Sequence, residues 1–435
     1  LDLLSAGLVA GWLKMAGLPT SFDPEEMLAR STVQTPFWRS TDPTAEKIVN
    51  SYLKFLDSQG LKSSEQGIWL QSGANLLLEN HGTTPIPAAS LTKVATSLAA
   101  LQTWGVNHEF ETQVSSTGAI QNGVLQGDLI VQGGGDPLFL WEDAIALGNA
   151  LRQLGITRIS GDLIIVDRFM MSFRDDPLRS GELFKKALNS KTWDEEIREE
   201  FGEMPKGMIH PTIEIKGTVR RGSVFPQQTL LLRYRSLPLV QLLKYMNIHS
   251  QNEMAQLLAD GLGGAKAVIE KASTAAHISP DELRLVNGSG LGTENRISPH
   301  AACEMFAAIE RTIHPLNLSI ADFFPTAGID REGTTLEDRS IPERSVVKTG
   351  TLNQVSALAG VFPTRDRGLV YFSVINHGTD ILELRHQQDL LLQALQKAWG
   401  RDADTTVLQP TVEVKELIPE QRIEVIQNRR ERQDS

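Results

Sequence analysis

The chain has 435 residues, 41% of them apolar, enough for a sizeable core and for two or three domains or one large interrupted one. Its 53 acidic residues against 42 basic ones leave a formal charge of −11, which excludes a general nucleic-acid binder, since that needs a basic face. The single cysteine, Cys303, rules out an internal disulfide and a cysteine-based zinc site. The nine histidines form no His-Glu-x-x-His pair, so no metal or other cofactor is expected.

The first residues, LDLLSAGLVAGWLKMAGLP, are apolar but interrupted by Asp2 and Lys14. No stretch of the chain reaches the ~18 to 20 uninterrupted apolar residues of a membrane span. The start lacks the basic residues of a signal peptide and an initiator Met, so an upstream segment is expected. Residues 1–43 read as an amphipathic helix followed by a linker rich in Pro, Ser and Thr. PTAEKIVNSYLKFLDSQG then has helical spacing, and GIWLQSG and ANLLLEN read as strands joined near Ser72 and Gly73.

PIPAASLTKVATSLAALQTWG, residues 85–105, places Ser90 and Lys93 three apart where a helix begins. Val94, Leu98, Leu101 and Trp104 give that helix an apolar stripe, and its alanines leave little polar surface, so most of it is expected inside. A desolvated lysine beside a hydroxyl is one way to activate a nucleophile. Ser-x-x-Lys alone does not decide this. It occurs three times, at Ser51, Ser90 and Ser345, and it also fits an N-cap serine with a lysine snorkelling to water.

Beyond Asn107, short strands broken by Gly and Asn turns are expected. In GGGDP, Asp136 reads as an N-cap and Pro137 as the first residue of a helix to about Leu154. The glycine run lacks a P-loop lysine and the dinucleotide spacing, which favours a tight turn over a phosphate cradle. GITRISGDLIIVD reads as a strand pair, TWDEEIREEF as a solvated helix and PTIEIKGTVRRG as a strand and hairpin. LPLVQLLKYMNIHSQNEMAQLLADGLGG reads as two helices broken near His249 and Ser250. SVVKTGTLNQVSALAGVF and GLVYFSVIN are expected as neighbouring strands, followed by an amphipathic helix, and residues 401–435 as a disordered tail.

Two further patterns are unique in the chain. Ser250-Gln251-Asn252 falls at the helix break, and Lys348-Thr349-Gly350 lies in a strand. Ser-x-x-Lys, Ser-x-Asn and Lys-Thr-Gly in that order make the penicillin-binding and β-lactamase set. With GVLQGDLIVQGGGDP, VNGSGLGTENRISP, FFPTAGIDREGTTLEDR and VKTGTLNQVSALAGVF, the chain resembles the D-alanyl-D-alanine carboxypeptidase/endopeptidase family of DacB type (peptidase S13), from about Ala45 to Gly400 without a central stretch. Three departures stand out. Only 160 residues separate Ser90 from Ser250, so the family's innermost nested domain, between Asp167 and Pro211, is expected to be absent or reduced. Gln251 replaces the usual Asp of the middle box, and the family's Asp-Gly-Ser-Gly-Leu-Ser runs here from Asn287 to Gly292.

The resemblance implies an α/β (α+β) fold, with a five-stranded antiparallel sheet between helices. The catalytic domain would be discontinuous, over 44–111 and 235–400, with a reduced insertion at 112–234. It implies a serine-type D-Ala-D-Ala carboxypeptidase, with endopeptidase activity alongside, acting on peptidoglycan stem peptides through an acyl-enzyme and inhibited covalently by β-lactams. Ser90 would be the nucleophile, Lys93 its base and Ser250 a proton relay; Asn252 would hold Lys93 and the substrate amide. Lys348 would support Lys93 and, with Thr349, bind the terminal carboxylate, and Gly350 would let a ligand backbone approach closely. Backbone N–H groups of Ser90 and Thr351 would form the oxyanion hole. The implied location is the periplasm or cell envelope. The alternative of the same fold is a non-hydrolytic penicillin- or peptide-binding sensor or scaffold, and a β-lactamase would need a deacylating Glu that the sequence does not assign.

Overall fold

The structure, a computed structural model, describes residues 38–39, 41–204, 209–330, 333, 336, 338–402, 408–412 and 418–426. The chain divides into two units, Leu1–Arg39 and Ser40–Ser435. The helix expected in 1–43 falls outside the described residues, and all that follows concerns the second unit.

From Pro43 the chain forms α1 (Pro43–Ser58), β1 (Gly67–Ser72), β2 (Asn75–Asn80) and α2 (Thr92–Trp104). It continues through β3 (Glu111–Ser116), β4 (Leu129–Gly134), α3 (Trp141–Gln153) and β5 (Leu163–Arg168). Next come α4 (Pro177–Ala187), α5 (Glu195–Glu203), β6 (Val219–Arg221) and β7 (Thr229–Arg235). Then follow α6 (Leu239–Ile248), α7 (Asn252–Leu262), α8 (Ala265–Ala276) and α9 (Pro299–Ile313). Last are β8 (Val346–Leu352), β9 (Val355–Thr364), β10 (Gly368–His377), α10 (Ile381–Trp399) and β11 (Ile423–Val425).

Five strands pair antiparallel in the order β2-β1-β10-β9-β8, so the mixed α/β class and the five-stranded sheet expected above are present. Every residue of β9 is buried, which explains its unbroken apolar run: a central strand covered on both faces cannot alternate. One face is covered by α1 and α10, where Val49, Tyr52, Leu392 and Trp399 meet Leu358, Phe362 and Phe372. On the other face α9 packs on β1, β9 and β10. Helix α2 lies among α6, α7, α8 and α9, so residues 92–101 are all buried, Lys93 included.

Residues 111–235 build a second sheet, β6-β5-β4-β3-β7, closed at its far edge by β11. Its core centres on Phe139, Trp141, Phe169, Phe184 and Tyr234. Four sequence expectations change here. Helix α3 starts at Trp141 rather than Pro137, because the Asp136 carboxylate turns back to accept the Leu138 N–H at 2.9 Å and closes a turn instead of capping a helix. The glycines serve backbone packing: a Cβ at Gly133 would stand 2.2 Å from Phe169 Cα, and one at Gly134 would stand 2.4 Å from the Glu111 carbonyl oxygen. PTIEIKGTVRRG forms no hairpin. Glu214–Ile215 pairs parallel with Arg158–Ile159, while β6 pairs parallel with β5 in a different sheet. Finally, the expectation of a wholly disordered tail is wrong for residues 418–426: Ile423 and Val425 pack on the second core, and Glu424 accepts from Arg233 at 2.8 Å.

Candidate active site

The turn that leads into α2 depends on strain at one residue and on the absence of a side chain at another. Ala89 sits at φ 49°, in the left-handed region that a residue with a Cβ seldom adopts. Gly350, in the middle of β8, faces this turn. A Cβ there would lie 2.6 Å from the Ala88 carbonyl oxygen and 3.0 Å from the Ser90 nitrogen. Gly350 thus admits the protein's own backbone, and it sets the Lys-Thr-Gly strand directly beside Ser90.

Lys93 follows one turn later with no exposed surface. Its Nζ lies 3.0 Å from Ser90 Oγ, 2.7 Å from Asn252 Oδ1 and 2.8 Å from the Ser289 carbonyl oxygen. Burial is the leading influence on this amine and pushes it down to about 7, against a smaller upward pull from Glu253. The geometry suits the neutral form. Two N–H groups then satisfy Asn252 and Ser289, and the lone pair is left facing the Ser90 hydroxyl.

Asn252 opens α7, and Ser250 makes the break before it, with φ 50° reversing the chain. Across the cleft the fully buried Lys348 donates to Ser250 Oγ at 2.9 Å and to the Thr349 carbonyl at 2.9 Å. Burial, and then the like charge of Lys93, push this amine well below its usual range. Two lysines therefore share one buried cleft, joined by Ser90 and Asn252 on one side and Ser250 on the other. Of the residues singled out in the sequence, Ser90, Lys93 and Asn252 meet directly, Ser250 meets Lys348, and Gly350 abuts Ser90. Thr351 is exposed at the open end of β8.

Other contributions were hidden in the sequence. The loop at Asn287 is folded by its own side chain, whose Oδ1 accepts from the Ser289 and Gly290 N–H groups and so aims the Ser289 carbonyl at Lys93. An Asn here keeps the acceptor that the family's Asp would supply. Gly290, at φ 86°, backs onto the Ala89 carbonyl. Gln251, in place of the family's Asp, caps α7 through a long 3.4 Å contact with the Glu253 N–H.

Comparison with known proteins concerns the chain as a whole. Residues 54–178 and 179–398 match the family model "D-Ala-D-Ala carboxypeptidase 3 (S13) family". The D-alanyl-D-alanine carboxypeptidase DacB of Haemophilus influenzae is 25% identical over an alignment covering 73% of this chain and 86% of that protein. Among solved structures, the Bd3459 predatory endopeptidase of Bdellovibrio bacteriovorus, in complex with its immunity protein, superposes with a TM-score of 0.68 at 19% identity, covering 83% of this chain and 99% of that one. Penicillin-binding protein 4 (dacB) of H. influenzae gives a TM-score of 0.61 at 21% identity, covering 80% and 99%. With the family model matched across most of its length, the chain belongs to the D-Ala-D-Ala carboxypeptidase 3 (S13) family and is a peptidase of that family.

Proposed function

We propose that this protein is a serine-type D-Ala-D-Ala carboxypeptidase, with endopeptidase activity on related peptide cross-links, acting on peptidoglycan stem peptides. One observation carries the reading: a fully buried lysine, with no carboxylate among the described residues hydrogen-bonded to it, poised to be neutral near pH 7, 3.0 Å from a serine hydroxyl. In the first step Ser90 Oγ attacks the carbonyl carbon of the penultimate D-alanine as Lys93 takes the hydroxyl proton. The oxyanion forms against the N–H groups of Ser90 and Thr351, each worth about 3 kcal/mol in such a hole. The C–N bond then breaks, and the proton that Lys93 took passes through Ser250, which Lys348 orients, to the leaving amine, so that Lys93 is neutral again. Water, deprotonated by the same lysine machinery, attacks the acyl-enzyme, releases the shortened peptide and returns the proton to Ser90.

Asn252 fixes the Lys93 amine, and the substrate's terminal carboxylate docks at the Thr349–Thr351 end of β8. A β-lactam presents the same carbonyl in a strained ring and would stop at the acyl-enzyme. Bd3459 has been seen acylated by penicillin G. Because the substrate lies outside the cytoplasmic membrane, the working location is the periplasm or cell envelope. A β-lactam sensor of the same fold would use the same lysine to be acylated at Ser90, so release of D-alanine with turnover separates the enzyme from it. The test is fluorescent penicillin labelling alongside D-alanine release from a D-Ala-D-Ala peptide. Wild type should do both, and Ser90→Ala neither. Labelling that persists in Ser90→Ala would place the nucleophile elsewhere.

A further inference from the structure

Lys348 is a poor receptor for a substrate carboxylate. Its ammonium has no exposed surface, and two of its three donors already face Ser250 Oγ and the Thr349 carbonyl. A different cation stands at the open end of the same strand. Arg385, on the second turn of α10, donates from Nη2 to Thr351 Oγ1 at 2.8 Å. This is its one hydrogen bond among the described residues, and none of their carboxylates lies within ion-pair reach of it. Nearby charges are committed elsewhere. Asp389 pairs with the buried Arg339 at 2.6 Å, and Glu383 accepts from Gln387 at 2.8 Å.

The substrate's geometry demands an anchor at about this place. In a peptide ending in D-Ala-D-Ala, only one residue separates the scissile carbonyl from the terminal carboxylate, so the two lie within about 4 Å, the span of one residue. Gly350 sits against the Ser90 nitrogen, and Thr351 is the next residue along β8. We infer that Arg385 and Thr351 together form the subsite for the substrate's terminal carboxylate, with Arg385 supplying the permanent positive charge. Four guanidinium N–H groups remain after the bond to Thr351, enough for a bidentate grip. The inference rests on the serine-peptidase reading of Ser90 and adds to it the residue that would make the enzyme prefer a free C-terminus.

The test compares acylation by a D-Ala-D-Ala peptide with a free carboxylate against its C-terminal amide. Arg385→Ala should cut kcat/KM on the free acid by about 10- to 100-fold, the value of a charge-assisted hydrogen bond, and mainly through KM. The amide should lose no more than about twofold. Arg385→Lys should recover part of the loss, since it keeps the charge but not the fork. Added salt should weaken wild-type turnover of the acid alone. Equal losses on acid and amide would overturn the inference and leave Arg385 as a positioning residue for Thr351. No loss on either would also overturn it. Wild-type protein that neither releases D-alanine nor labels with penicillin would overturn the serine-peptidase reading itself, and this inference with it.

Discussion

Two clusters of buried charge in this protein have opposite signs and are handled in opposite ways. The cleft holds Lys93 and Lys348, both fully buried, and no carboxylate among the described residues is hydrogen-bonded to either. The second sheet covers Asp136 and Asp143, buried beside Glu142, and there an arginine is brought in to meet them. Arg422, just before β11, lies 2.6 Å from Asp143 Oδ1, bonds the Tyr234 hydroxyl and stacks over its ring. Burial still outweighs that arginine: it holds the Asp143 carboxyl above its usual range and Asp136 near 7. The difference is instructive. A buried charge given a partner holds two elements together. A buried amine left among neutral acceptors sheds its proton and becomes a base.

The sharpest way to break the comparison is at the amine. The rate of penicillin labelling should climb about tenfold per pH unit below about 7 and level off above it, because only neutral Lys93 can take the Ser90 proton. Lys93→Ala should slow labelling by ~10² to 10⁴, the usual worth of a general base. A flat profile between pH 5 and 8 would mean that Lys93 keeps its proton throughout, and the contrast with the acid cluster would collapse. Stability should carry the same signature. Lys93 has a folded value near 7, below its ordinary 10.5. Its contribution is therefore complete above about 10.5 and is lost as pH falls through about 7.

The acid cluster should respond with the opposite slope. The folded value of Asp136, near 7, stands above the ordinary 3.8, so its contribution is complete below about 3.8 and is lost as pH rises through about 7. Arg422→Ala removes the cation paired with Asp143 and should cost about 3 kcal/mol at pH 7.5 by denaturant unfolding, since it strands buried carboxylates. At pH 5, where those carboxyls can hold protons, the cost should shrink. Labelling per folded molecule should be unchanged. A loss that stays constant with pH would mean that Arg422 acts by packing on Tyr234 rather than by charge.

What was legible in the sequence divides along the same line. The cleft's chemistry forces residue types at short, ordered intervals, so Ser90, Lys93, Ser250, Asn252 and Lys348 could be picked out before any fold was known. The unbroken apolar run of β9 and the alanine-rich α2 gave the core by the same local logic. The acid cluster left no such trace. Asp136 looked like a helix cap because Pro137 follows it, and Arg422 looked like one charge in a polar tail. Their relation exists only because β11 pairs with β7, bringing Tyr234 opposite Ile423. Arg385 was invisible for the same reason: in the sequence it is a solvated helix residue, and only the packing of α10 against the sheet brings it to Thr351.

The smallest effect is expected where the middle box departs from its family. Gln251 caps α7 weakly through the Glu253 N–H. In Gln251→Asp a shorter carboxylate would cap the same helix better and add its charge to the positive end of the helix dipole, a gain of about 0.5 to 1 kcal/mol. If that carboxylate stays on the helix terminus, it remains out of the cleft, and labelling at pH 7 should change by less than about threefold. If it turns toward Ser250 and the two lysines, it would raise the Lys93 value, because an opposite charge favours the ammonium. Labelling at pH 7 would then fall tenfold or more and recover at pH 8.5, and Gln251 would have to be read as keeping negative charge away from the base rather than as a helix cap alone.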